Sequence, residues 1–254
     1  MLPHVASRRT VLLLGGALGL SSLRLPALGA GVPMRPVSAP GDGLPDPPEP
    51  PPPGTRPVEP WSSGAIGDWR RSSHHSSDAD TDRAAQRDGV HLVGDSIATR
   101  LLEPLRTRLA GRPLAYDVWN GRPTAPGVDA ILSLAASRRL APTVVVVLGS
   151  NDIFDPWGLG DQIARVAGLT RSHRVLWVTP YVSRPLAPSA DMRHSAVLGL
   201  ALERAAASSE IELVRWFELL ARSGERLGDL VDDGVHPSTE GAEALADLIV
   251  TTLS

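Results

Sequence analysis

TVVVVLG, residues 143–149, decides the fold of this chain. Four consecutive valines leave no polar face, so the run reads as a strand covered on both sides rather than a half-exposed one. Strands of that kind belong to parallel sheets, whose crossover helices lie over both faces. The flanking sequence supplies the alternation such a sheet needs. Upstream, HLVG (91–94) predicts a strand, residues 97–109 a helix, LAYDVW (114–119) a strand and residues 128–136 a helix. Downstream, residues 160–169 read as helical, RVLWVTP (174–180) as a strand, 189–208 as a long helix and IELVRW (211–216) as a short strand. Ser238 is placed to N-cap a last helix that runs to Leu253. Strand and helix alternate throughout. The pattern predicts a three-layer α/β/α domain around a parallel sheet of about five strands.

Composition excludes several classes of chemistry. The chain has 254 residues, 42% hydrophobic and 21% charged, with a formal net charge of -3. All 25 basic residues are arginine, and no basic stretch is long enough for a nucleic-acid footprint. Cysteine is absent, which removes disulfides, thiolate catalysis and cysteine-ligated metals. His74 and His75 are too sparse for a metal site, so neither metal nor cofactor is expected. The protein is expected to be a monomer.

The N-terminal part has a different texture. Ser7, Arg8 and Arg9 precede an apolar run from Val11 to Leu20 and small residues at Ala27, Gly29 and Ala30. That order resembles a twin-arginine export signal over residues 1–30, and its apolar run is shorter than the roughly 20 residues a bilayer span needs. Its removal would leave 22 basic and 28 acidic residues, a net charge near -6. The expected destination is the periplasm, the cell wall or the exterior, with no stable membrane span in the mature form. Residues 31–60 hold 12 of the 24 prolines, including PDPPEPPPPG, and residues 61–88 are rich in Ser, Asp and Arg. The whole of 31–88 reads as a linker with little to bury. A folded domain is therefore expected over 89–254, about 166 residues, enough to bury roughly 70% of its unfolded surface.

In open α/β sheets ligands bind beyond the carboxyl ends of the strands. Four polar stretches fall there: GDS (94–96), NGR (120–122), GSND (149–152) and DGVH (233–236). Alone, Ser96 reads as a helix-capping serine, Gly121 as a turn glycine and Asn151 as a strand-end residue. Together on one rim they form a reactive set. Serine needs a base, and His236 can take and return its proton. Asp233 would hold the imidazole in the right tautomer. The Gly121 N–H, the Asn151 amide and the Ser96 N–H would face a developing oxyanion. Asp191 and His194 repeat the acid-x-x-His spacing, but they open a long helical pattern, where they read as a surface pair. His91 and His173 read as structural or solvated, and Trp119, Trp157 and Tyr181 lie near strand ends, where aromatics serve either as a sugar-stacking platform or as packing.

These blocks resemble the SGNH hydrolases, also called GDSL esterases, whose four blocks carry Ser, Gly, Asn and His. Ser96, Gly121, Asn151 and His236 with Asp233 match them in order, over about residues 90–240. The resemblance implies a flavodoxin-like α/β/α fold, metal-free ester hydrolysis and a Ser-His-Asp triad. DVWNGR (117–122) and VTPYVSRP (178–185) also resemble the SGNH domains of peptidoglycan O-acetyltransferases. Such transferases usually carry a multi-spanning membrane domain, and none is legible here. The expectation is an exported serine esterase acting on short-chain acyl esters, with cell-envelope carbohydrate a candidate substrate. An O-acyltransferase using the same residues and an inactive carbohydrate-binding module are the alternatives.

Overall fold

The computed structural model describes residues 73–254 apart from 87, 110 and 209. The expected export signal, most of the expected linker, and Trp61 and Trp69 lie outside the described residues. Six strands form one sheet: β1 (Ser73–His75), β2 (Val90–Gly94), β3 (Leu114–Trp119), β4 (Thr143–Val147), β5 (Arg174–Val178) and β6 (Glu212–Val214). Their order is β1-β3-β2-β4-β5-β6, with every pairing parallel except β1 on β3. Among the five parallel strands, the order is that of flavodoxin-like sheets, with the direction of winding reversing between β2 and β4.

The valine run explains why this sheet is covered on both faces. Val145 and Val147 of β4 join a core with Leu92 and Val178, under α2 (Ser96–Arg108), α6 (Trp216–Arg222) and α8 (Thr239–Leu253). Val144 and Val146 join Val93 and Trp177 on the opposite face, under α3 (Thr124–Ala136), α4 (Leu159–Ala167) and α5 (Pro188–Ala207). Every residue of β4 is buried. The period-2 geometry of a strand deals successive valines to opposite cores. Ser238 caps α8 as expected, its hydroxyl accepting from the Gly241 N–H at 3.0 Å.

One expectation needs extension and another correction. The expected parallel sheet of about five strands is present but extended by the antiparallel edge strand β1, and residues 73–86 do not belong to a linker. They form β1 and the helix α1 (Asp78–Gln86). Ser73 to His75 pair with Trp119 to Asp117, the Ser76 hydroxyl accepts the Tyr116 N–H at 2.9 Å, and Ala84 packs on Ala115 and Ala141. Arg139 reaches back to Asp82 at 2.7 Å and Asp78 at 2.8 Å. A fragment starting at residue 89 uncovers the edge of β3 and this alanine cluster. We expect it to melt about 5 °C or more below one starting at residue 73, on the usual scale of ~2–4 °C per kcal/mol for domains this size. Equal melting curves would show that β1 and α1 contribute nothing to stability.

Candidate active site

The serine is placed by the end of β2. Asp95 N-caps α2, its Oδ1 accepting the Ile97 N–H at 2.9 Å, so Ser96 is the first helical residue rather than the cap. Its hydroxyl therefore sits at a helix N-terminus, where the dipole favours negative charge.

The histidine is placed by a tight loop after α7 (Leu227–Leu230). Val231 bridges to Pro237, and the Asp232 N–H donates to the His236 carbonyl at 3.0 Å. Inside this loop Asp233 Oδ1 accepts the backbone N–H groups of Val235 at 3.0 Å and His236 at 2.8 Å. Its Oδ2 lies 2.8 Å from His236 Nδ1. The Asp-x-x-His spacing thus lets one carboxylate shape its own turn and hold the ring. Gly234 has φ +81°, and a Cβ there would lie 2.1 Å from the Ser183 carbonyl oxygen. The Ser183 N–H donates to the Gly234 carbonyl at 2.8 Å, which pins the loop to the chain following β5.

The two loops meet across the sheet. Ser96 Oγ lies 2.8 Å from His236 Nε2. Burial pushes the Asp233 carboxyl up, but the His236 backbone and ring donors outweigh it and hold the group at about 2. An ionised Asp233 can only accept, so Nδ1 carries the imidazole proton and Nε2 faces the serine with its lone pair. The hydroxyl then donates to the ring. That is the alignment required for removal of the serine proton.

The other two blocks are tied to the same point. Gly121, at the end of β3, has φ +74°, a conformation in which any side chain is strained. Asn151, buried after β4, donates from Nδ2 to Asp95 Oδ2 at 3.0 Å and to the Arg122 carbonyl at 3.2 Å. One side chain therefore links the residue before Ser96 to the residue after Gly121. All five expected residues lie on one rim. In this arrangement Asn151 Nδ2 contacts protein oxygens, so donation to an oxyanion requires one of those bonds to be shared or released.

Several buried or half-buried groups beside the rim were not singled out by sequence reasoning, although the quoted blocks contain them. Asp152 accepts from the Thr124 hydroxyl at 2.6 Å and the Thr124 N–H at 3.0 Å. Arg122 is fully buried 4.0 Å over the Trp119 ring, donating to the Asp117 carbonyl at 2.9 Å, the Asp117 carboxylate at 3.0 Å and the Pro126 carbonyl at 3.2 Å. Burial pushes the Asp95 carboxyl up to about 7 and that of Asp152 to about 6.

The other expected sites resolve as packing or pairing. Asp191 is not in a surface pair with His194: it is buried and held by Arg184 through Nε at 2.8 Å and a terminal nitrogen at 2.7 Å. His91 is buried, and burial pushes its imidazole down to about 4. The His173 Nδ1 lies 2.9 Å from the Ser172 hydroxyl, and that of His75 2.8 Å from Asp117. Tyr181 is buried against Phe217, 5.7 Å between ring centroids, and so is not a platform for ligand. No group of three potential metal ligands occurs among the described residues.

Residues 89–244 match the GDSL-like lipase/acylhydrolase family, and the chain belongs to it. Solved structures with this fold include the catalytic domain of the Streptococcus pneumoniae peptidoglycan O-acetyltransferase OatA. It is 24% identical with a TM-score of 0.52, over 65% of this chain and 92% of that one. A lipase/acylhydrolase from Enterococcus faecalis is 18% identical with a TM-score of 0.56, over 66% and 95%. The acetylxylan esterase Axe2 of Geobacillus stearothermophilus is 13% identical with a TM-score of 0.52, over 66% and 94%. At these identities the likeness defines the fold alone. No curated protein matches the sequence.

Proposed function

We propose that this protein is an exported serine esterase that cleaves short acyl esters, with acylated envelope carbohydrate as the substrate class. The observation that carries the reading is the unbroken hydrogen-bonded chain Ser96–His236–Asp233, with 2.8 Å at each link. Ser96 Oγ attacks the acyl carbonyl while its proton passes to His236 Nε2. The oxyanion is stabilised by the N–H groups of Ser96 and Gly121 and by the Asn151 amide. Collapse expels the alcohol, which takes the proton from His236. Water then attacks the acyl-serine, gives its proton to His236, and the acid leaves as Ser96 is restored. Asp233 stabilises the imidazolium in both halves.

Transfer differs only in the second half, where a sugar hydroxyl replaces water. The fold shared with OatA and the DVWNGR stretch favour that as the second reading. Export is supported by Arg8, Arg9 and the apolar run behind them. No helix among the described residues is long and apolar enough to cross a membrane.

A p-nitrophenyl alkylphosphonate tests the assignment directly. One equivalent of p-nitrophenol should be released as the peptide bearing Ser96 gains the phosphonyl group. A folded protein that releases none, or is labelled elsewhere, would sink the serine mechanism and leave the carbohydrate-binding alternative. With p-nitrophenyl acetate, adding chito-oligosaccharide separates the two enzyme readings: acetylated sugar at the expense of acetate means transfer.

A further inference from the structure

The first block contains an acid whose presence the helix cap does not explain. Asp95 is wholly buried, and a carboxylate in that position is costly to ionise. Serine, threonine or asparagine would cap α2 about as well. What those residues lack is a second acceptor. Asp95 uses Oδ1 for the Ile97 N–H and Oδ2 for Asn151 Nδ2. An asparagine at position 95 could still cap, but would turn its own NH₂ towards that of Asn151, donor against donor.

We propose that Asp95 is a positioning residue for the oxyanion hole, acting through the Asn151 carboxamide; the inference rests on the reading of Asn151 as an oxyanion donor. The two N–H bonds of a carboxamide lie in one plane, about 120° apart. Holding one on Asp95 Oδ2 aims the other at the Gly121–Arg122 side of the rim, where it now meets the Arg122 carbonyl at 3.2 Å. In its ionised form this acceptor also polarises the amide and strengthens the remaining N–H as a donor. Asp95 thus fixes the direction and the strength of a donor it shares no loop with, 56 residues away in the chain. The neighbouring charges on this carboxyl are Asp152, which opposes its ionisation, and Arg122, which favours it.

The test is a mutant cycle on the full chain with p-nitrophenyl acetate. Asp95→Asn should lower kcat about 10- to 100-fold, part of the usual loss for an oxyanion donor, with KM within about twofold. Asn151→Ala should lower it further, and Asp95→Asn/Asn151→Ala should be within about threefold of Asn151→Ala alone, because the positioned group is gone. Asp95→Ser keeps a helix cap and should lose as much as Asp95→Asn, which separates positioning from capping. If the two losses multiply, or Asp95→Ser retains full activity, Asp95 does not act through Asn151. If Asn151→Ala leaves kcat unchanged, the oxyanion assignment falls, and this inference with it.

Discussion

Alanine at His236 should remove nearly all turnover of a chromogenic ester, and alanine at Ser96 the same, each by about 10⁴–10⁶-fold. The double variant should be scarcely worse than either single one. The serine hydroxyl gains its reactivity only while His236 Nε2, 2.8 Å away, can take its proton, so the second deletion has nothing left to remove. Asp233→Asn should cost about 10²–10⁴-fold, because an amide at 2.8 Å from Nδ1 turns the imidazole towards the wrong tautomer. His194→Ala is the control and should leave turnover unchanged, since Asp191 is held by Arg184 instead. Five purified variants and one substrate suffice. A folded, active His236→Ala protein would place the base elsewhere.

Asn151→Ala should lower kcat by about 10²–10³-fold with the fold intact, the usual consequence of deleting one oxyanion donor. The structure adds a complication, because the same deletion leaves Asp95 Oδ2 and the Arg122 carbonyl without the amide. A melting temperature should accompany the kinetics. A kcat within threefold of wild type, with unchanged melting, would remove Asn151 from the mechanism.

Legibility in the sequence followed the size of the physical signal. The TVVVV run was readable because burial on two sides demands apolar residues at every position. β1 was not, because Ser73, His74 and His75 form a polar edge with no alternation to detect. α1 escaped for a related reason: its buried residues are only Thr81 and Ala84, too small to mark a helical period. IELVRW was read as strand through Trp216, whereas only Glu212–Val214 pairs and Trp216 begins α6. Ser96, Gly121 and Asn151 were legible because they follow strand ends, which chain order reveals, whereas Asp233 and His236 lie between α7 and α8 and were marked by their spacing. The role of Asp95 was hidden because its second partner, Asn151, lies on another loop. Asp191 misled through its spacing to His194, while its partner Arg184 stood seven residues earlier.

The antiparallel pairing of β1 fixes the end of the sheet at which residue 73 meets it. Ser73 stands opposite Trp119, the last residue of β3, at the carboxyl end of the parallel strands. The polypeptide therefore joins the sheet beside the catalytic mouth. The other terminus is at the far end: Arg174, the first residue of β5, bonds the carbonyls of Thr252 and Leu253 at 2.6 and 2.8 Å. Residue 73 thus lies at the same end of the sheet as the candidate site, and residues 252 and 253 lie at the opposite end. For an immobilised catalyst, a support coupled at the trailing end leaves the opening clear.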